Sequence, residues 1–239
     1  MKKRLDLSLV SQGLVSTRSQ AESYIRLGKV KVNSKVVQKP GFFIDESTKI
    51  ELQDDDRYVS RAGFKLASVA GNFGLDFNNK VVLDVGSSTG GFTDYALQNG
   101  AKKVIAVELG TNQLHPSLRT NPKIELHEQT DIRHIKKLSS VVHIVLADVS
   151  FVSLRELLPS IGKLLNKNTQ ILAMVKPQFE AKNSNIKHKG VIKNEAIRRD
   201  ILKDFESWAK QYFFIAEKQD SDVSGEKGNK ERFYLLKKI

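Results

Sequence analysis

The chain has 239 residues, a formal net charge of +12 and no cysteine, which excludes disulfides and thiolate metal sites and fits a reducing cytoplasm. No apolar run approaches the ~18 residues of a membrane span, and MKKRLDLSLV lacks the apolar core and cleavage site of a signal peptide. So basic a chain points to a polyanionic partner, nucleic acid ahead of an anionic membrane, because each lysine or arginine that neutralises a phosphate releases a counterion.

Residues 1–52 form the first compositional unit. Leu5, Leu7, Leu9 and Val10 supply one short apolar helical face, and Ala21, Tyr24, Ile25 and Leu27 a second at helical spacing. Ser16 or Thr17 can cap the second helix and Gly28 can end it. VKVNSKVV then alternates around an Asn-Ser turn, PGFFID breaks direction, and TKIEL gives a closing strand.

The stretch LVSTRSQAESYIRLGKVKVNSKVV resembles the S-four-type RNA-binding module, a small α+β unit of two helices and a hairpin. The resemblance is carried by Arg18, Gln20, Ala21, Arg26 and the run G-K-V-x-V-N. It implies that the unit lies along structured RNA through backbone phosphates, with Arg18, Arg26, Lys29 and Lys31 as contact side chains. Contacts of this type give affinity and register rather than base reading. QDDDRY at 53–58 reads as a solvated connector, so the expected domains are 1–58, linker included, and 59–239.

From Val59 onward, apolar strands alternate with helical stretches. The strands are VVLDV, KVIAVEL, KIELHE, VHIVLADV, TQILAMV, FFIAEK and ERFYLLKK; helices are expected around 61–70, 90–99, 152–165 and 194–210. This alternation predicts an α/β fold: a parallel, doubly wound, Rossmann-like sheet of seven strands. Ligands of such sheets sit beyond the carboxyl ends of the strands, where strand order reverses.

The turn after the first of these strands is DVGSSTGGF. Asp84 ends the strand, and Gly86, Gly90 and Gly91 with Ser87, Ser88 and Phe92 form the turn and open the next helix. Glycines there let the chain bend sharply and let a ligand approach backbone amides. The spacing G-S-S-T-G-G departs from the dinucleotide pattern G-x-G-x-x-G. Glu108, ending the second strand, is placed to accept both ribose hydroxyls of an adenosine. Asp131 either reads an adenine amine or caps the helix before IRHI.

Two cofactor classes fit these features, nicotinamide dinucleotides and S-adenosylmethionine. The string DVGSSTGGFTD resembles the form that FtsJ-like RNA ribose methyltransferases and their TlyA (hemolysin A) relatives use for S-adenosylmethionine. That resemblance implies that Asp84 helps hold the amino group of the cofactor.

Methyl transfer to a ribose hydroxyl needs no metal, because the sulfonium already makes the methyl electrophilic. It needs groups that align a weakly acidic alcohol and manage its proton. Four residues suit by position: Lys65 in SRAGFKL, Asp148 closing VHIVLADV, Lys176 closing TQILAMVK, and Glu231 in GNKERF, with Glu226 an alternative carboxylate. A lysine and an aspartate that end apolar strands are costly to bury unpaired, so Asp148 and Lys176 are expected to face each other. SRAGFKL, LADVSF, VKPQFE and GNKERF each resemble a motif of the same family, and the four residues match its Lys-Asp-Lys-Glu tetrad.

The five histidines, 115, 127, 134, 143 and 188, include no i,i+4 pair, so no metal site is expected. The lysine-rich segment after VKPQFE reads as a loop, either closing over RNA or merely solvated. The expectation is a cytoplasmic S-adenosylmethionine-dependent enzyme acting on a ribose 2′-hydroxyl, a cytidine by resemblance, in ribosomal RNA or ribosomal subunits. Some members of the family it resembles carry a longer N-terminal extension associated with acting on both subunits; this chain starts almost at the first helix of the RNA module, and the resemblance then implies a large-subunit target. Three rivals stand beside it: a non-catalytic RNA-binding protein, a membrane-lysing protein and a nicotinamide-dependent oxidoreductase.

Overall fold

The computed structural model describes residues 2–239 apart from 16–17, 27, 46, 53–56, 182–189, 224 and 226–227, and the side chains of 19, 20, 23 and 26 also fall outside it. The chain divides into two compact units, Met1–Arg61 and Ala62–Ile239.

In chain order the first unit comprises β1 (Lys3–Arg4), α1 (Leu5–Ser11), α2 (Arg18–Arg26), β2 (Val30–Val32), β3 (Lys35–Val36), β4 (Phe43–Ile44) and β5 (Ile50–Leu52). Leu5, Leu9, Ala21 and Ile25 are wholly buried and pack with Val30, Val32 and Ile44. Leu7, expected on the same face, is exposed. Two residues along a helix turn the side chain about 200° away, so Leu7 cannot follow its i and i+4 neighbours inward.

Gly28 closes α2 with φ +72°, its N–H donating to the Ile25 carbonyl at 3.0 Å. The proposed caps, Ser16 and Thr17, lie outside the described residues. Asn33 and Ser34 both take positive φ, which matches the right-handed twist of a two-residue hairpin. That hairpin joins β2 to β3, and β5 adds to the other edge of β2. The PGFFID segment supplies β4, which pairs with β1 instead.

Asp6 is buried under α1. Its carboxylate accepts from Arg4 Nε and Nη2 at 2.9 and 2.7 Å, Arg18 Nε at 3.0 Å and the Leu7 N–H at 3.0 Å. The Arg4 guanidinium foremost, with Arg18 and the amide, holds the carboxyl below its ordinary range against the opposing effect of burial.

The second unit runs α3 (Arg61–Ala70), β6 (Val81–Val85), α4 (Gly91–Gln98), β7 (Lys103–Val107), α5 (Pro116–Arg119), β8 (Ile124–His127), a 3₁₀ turn (Ile132–His134), β9 (Ile144–Ala147), α6 (Leu154–Lys163), β10 (Gln170–Val175), α7 (Pro177–Glu180), α8 (Glu195–Ala209), β11 (Phe213–Asp220) and β12 (Arg232–Lys238). All seven expected strands join one sheet of order β11-β12-β10-β9-β6-β7-β8.

The expectation of an all-parallel sheet is corrected at β12, which is antiparallel to both neighbours. The other pairs are parallel. No helix is found among the described residues between β11 and β12. Without a crossover, a chain leaving one strand can re-enter only in the opposite direction.

The central strands are buried on both faces, and β6 is buried at every position, which is why VVLDV is apolar throughout except at Asp84. Leu83, Val145, Leu158, Ile161, Phe205 and Tyr234 meet in the core. Each side chain of this size contributes roughly 1.5–3 kcal/mol on burial.

Candidate active site

Strand order reverses between β6 and β9, so their carboxyl ends diverge into different crossovers and leave a crevice. Val85 pairs with Ala147, and Val175 with Arg232. The next residues, Gly86, Asp148, Lys176 and, because β12 runs backwards, Glu231, therefore stand along one sheet edge. A cleft of about 140 Å³ opens there, lined by Ala62, Asp84, Gly86, Ser87, Ser88, Thr89, Phe92, Asp148, Ser150 and Lys176.

Gly86 has φ +80° and Gly90 φ +91°. A Cβ on Gly86 would meet the Asp148 carbonyl oxygen at 2.5 Å; one on Gly90 would meet Leu114 and Leu118 at 2.6 Å. Close packing of protein atoms, and not only a ligand, thus demands these two glycines. Gly91 is the first residue of α4, and Phe92 is buried with its ring 6.2 Å from Phe233.

Asp84 is wholly buried. Its Oδ2 accepts from Thr93 Oγ1 at 2.6 Å, while Oδ1 is buried with no hydrogen-bond partner. Ser87 Oγ is likewise unpartnered. Burial pushes the Asp84 carboxyl up to about 7, with the nearby Asp148 and Glu108 acting the same way and the Thr93 bonds opposing them. An unmet carboxylate oxygen at the mouth of a small-residue turn suits the ammonium of an amino-acid-bearing cofactor such as S-adenosylmethionine.

Lys176 Nζ stands 2.6 Å from Asp148 Oδ1 and donates to Ser150 Oγ at 2.8 Å. The expected pairing of the two strand-end charges is therefore present, in the cleft. Lys65 Nζ lies 2.5 Å from Glu231 Oε2, and both residues are buried. Lys65 is one turn along α3 from cleft-lining Ala62, hence on the same face. Continuing the β10–β12 register sets Glu231 opposite Lys176. The alternative carboxylate, Glu226, lies outside the described residues.

Glu108 and Asp131 are not among the lining residues of the cleft. Glu108 accepts from the Ser88 N–H at 2.9 Å and the Gly110 N–H at 2.7 Å, shaping the turn while keeping lone pairs in reserve. Asp131 caps the 3₁₀ turn through the Arg133 N–H at 2.9 Å, and the Arg133 guanidinium grips both its oxygens. That pairing lowers its carboxyl to about 2.

In the first unit, Arg18 is exposed and pairs with Asp6 and Glu22. Lys31 is half-buried on β2. Lys29 is buried with Nζ 5.2 Å from the centre of the Tyr24 ring, so a phosphate would have to draw it out. The Arg26 side chain lies outside the described residues.

Sequence reasoning passed over Thr93, Ser150 and Phe151. Thr93 and Ser150 resemble any helix or loop hydroxyl until their partners are seen. Phe151 is 93 % exposed, has φ +67° and lies with its ring 5.3 Å from Phe179. A left-handed phenylalanine open to solvent is strained and uncommon. The signal in the sequence was an aromatic directly after a polar strand end, at LADVSF. Glu180, also passed over, is buried and accepts from Ser153 Oγ at 2.6 Å and the Leu154 N–H at 2.7 Å. It ties the segment after Lys176 to the segment after Asp148.

The strand order, the reversed β12 and the charged array at one sheet edge define a Rossmann-like α/β methyltransferase domain. Residues 58–238 match the FtsJ-like methyltransferase model and residues 3–50 the S4 domain model. The chain belongs to the FtsJ-like methyltransferase family. It is 44 % identical to the 23S rRNA (cytidine-2'-O)-methyltransferase TlyA of Campylobacter jejuni, over 74 % of this chain and 70 % of that protein. It is 32 % identical to the 16S/23S rRNA (cytidine-2'-O)-methyltransferase TlyA of Mycobacterium tuberculosis, over 98 % and 89 %. Among solved structures, a Streptococcus thermophilus protein carrying the hemolysin name aligns with a TM-score of 0.77 at 36 % identity, covering 100 % of this chain and 89 % of its own.

Proposed function

We propose that the chain methylates a ribose 2′-hydroxyl of ribosomal RNA, at a cytidine and in the large subunit, with S-adenosylmethionine as donor, and that it works in the cytoplasm where ribosomes are built. The observation that carries the reading is the convergence of Lys176, Asp148 and the half-satisfied Asp84 carboxylate on one cleft.

The bound cofactor supplies an electrophilic methyl group. Asp84 Oδ1 would accept from its amino group, and the 86–92 turn would wall the methionine portion. Glu108 would offer its remaining lone pairs to the ribose, and Asp131, which caps the 3₁₀ turn, would help hold the adenine side of the site. Lys176, steadied between Asp148 and Ser150, would orient the RNA hydroxyl; its proton would pass to this pair as the carbon–oxygen bond forms and the methyl–sulfur bond breaks, releasing S-adenosylhomocysteine. The buried Lys65–Glu231 pair flanks it, fixing the middle of α3 against the start of β12. The open ring of Phe151 suits stacking of an unstacked base.

The first unit, matched by the S4 domain model, supplies the RNA grip through Arg18, Arg26, Lys31 and a released Lys29. The two TlyA relatives named above act on rRNA cytidines according to their names, which supports the substrate class. Among the described residues no helix is long and apolar enough to cross a membrane, and no cluster of three metal-ligating side chains is found.

The test is transfer of tritiated methyl to ribosomal subunits and to deproteinised rRNA, followed by mapping of ribose methylation. The expected result is incorporation at a large-subunit cytidine that Lys176→Ala abolishes. Incorporation by neither substrate, or incorporation indifferent to Lys176, overturns the reading.

A further inference from the structure

Asp84 combines features that conflict with accepting an ammonium. It is wholly buried, and the charged groups that bear on it from neighbouring strand ends are Asp148 beyond β9 and Glu108 beyond β7, both of which oppose its ionisation. The nearby cation, Lys176, is engaged with Asp148 and Ser150. A neutral Asp84 would hold a proton of its own and would meet an ammonium without attraction.

What favours the charged form comes from one residue. Thr93, in the first turn of α4 and itself wholly buried, donates its hydroxyl to Asp84 Oδ2 at 2.6 Å. A hydroxyl has a single proton, and donating it favours the ionised acceptor. Oδ1 is thereby left as the free, buried acceptor.

We infer that Thr93 is a positioning residue for the cofactor: its hydroxyl, donated to Oδ2, favours the charged form of Asp84 and leaves Oδ1 as the oxygen presented to the amino group of the ligand. The inference rests on the cofactor reading above. It makes affinity for an amine-bearing ligand fall as pH falls through the Asp84 midpoint, and it makes that midpoint depend on Thr93. A threonine that merely ties α4 to β6 predicts no such dependence.

The experiment is titration calorimetry of the full chain with two probes, S-adenosylhomocysteine and 5′-methylthioadenosine, which lacks the amino-acid portion. Measurements run from about pH 5.5 to 7.0, where the ligand's α-amino group stays largely protonated. Wild type is expected to lose S-adenosylhomocysteine affinity toward the acid end, while methylthioadenosine stays flat. Thr93→Val should move the midpoint up by about one unit and weaken S-adenosylhomocysteine roughly tenfold near pH 6.5, leaving methylthioadenosine unchanged. Thr93→Ser should restore the wild-type profile.

Equal weakening of both probes in Thr93→Val, with a wild-type pH profile, assigns Thr93 a structural role and overturns the inference. So does a Thr93→Val profile identical to wild type. If wild type binds neither probe at any pH, the cofactor reading itself fails.

Discussion

Asp6 in the first unit and Asp84 in the second are both carboxylates with no solvent-exposed surface, yet their surroundings differ in kind. Asp6 is met by two guanidiniums and an amide, and its acidity is strengthened. Asp84 is met by a neutral threonine, retains an oxygen with no partner and has its carboxyl raised to about 7. Burial of charge alone therefore does not distinguish scaffold from site. Between these two carboxylates the unmet lone pair does, because leaving a buried acceptor unanswered costs free energy that a bound ligand can return.

Substitutions can break this contrast. The widest effect is expected downstream of Asp84's cleft: Lys176→Ala should lower methyl transfer by about 10²–10⁴-fold, the range of a positioned acid–base group, with unchanged calorimetric affinity for S-adenosylhomocysteine. Next, Asp84→Asn should weaken that ligand by roughly 10–100-fold, the worth of a hydrogen bond to a charged group, while not lowering the denaturation midpoint. Asp6→Asn should do the reverse. Chemical denaturation should show a loss of about 1–3 kcal/mol in the first unit, with ligand affinity intact. A stability loss in Asp84→Asn matching that of Asp6→Asn would erase the distinction.

The smallest effect separates the two by the sign of their pH dependence. Asp6 has its folded pKa lowered, so its stabilisation is present above its unfolded value near 4 and is lost as pH falls through the folded value. Asp84 has its folded pKa raised to about 7, so without ligand the folded state binds the extra proton, and stability falls as pH rises from about 4 through 7. Denaturant titrations of wild type against Asp6→Asn and Asp84→Asn between about pH 3 and 8 should remove one slope each. The same sign for both would refute the assigned surroundings.

Several of these features were legible beforehand. The seven apolar runs became the seven strands, since burial on both faces leaves a continuous apolar signature. Asp148 and Lys176 were readable as partners because ending an apolar strand in a charge demands one. The glycines of the 86–91 turn were readable as a bend. That Gly86 makes room for the Asp148 carbonyl was not, because this neighbour is distant in sequence. Leu7 misled because composition counts it as apolar while helical phase points it outward. Asp131 was readable as a cap or as an adenine reader, but the Arg133 guanidinium on both its oxygens was not foreseen.

By itself the sequence determined the periodicities, the placing of charges at strand ends and the absence of thiols, all properties of neighbours along the chain. Only the tertiary structure decided that β12 runs backwards, which brings Glu231 to the edge occupied by Lys176, and that Lys65 closes on Glu231 across 166 positions of sequence. Only it decided which buried carboxylate is satisfied. Whether an acceptor finds its donor depends on which elements pack together, and that is settled by the summed burial of the whole core rather than by any local run of residues.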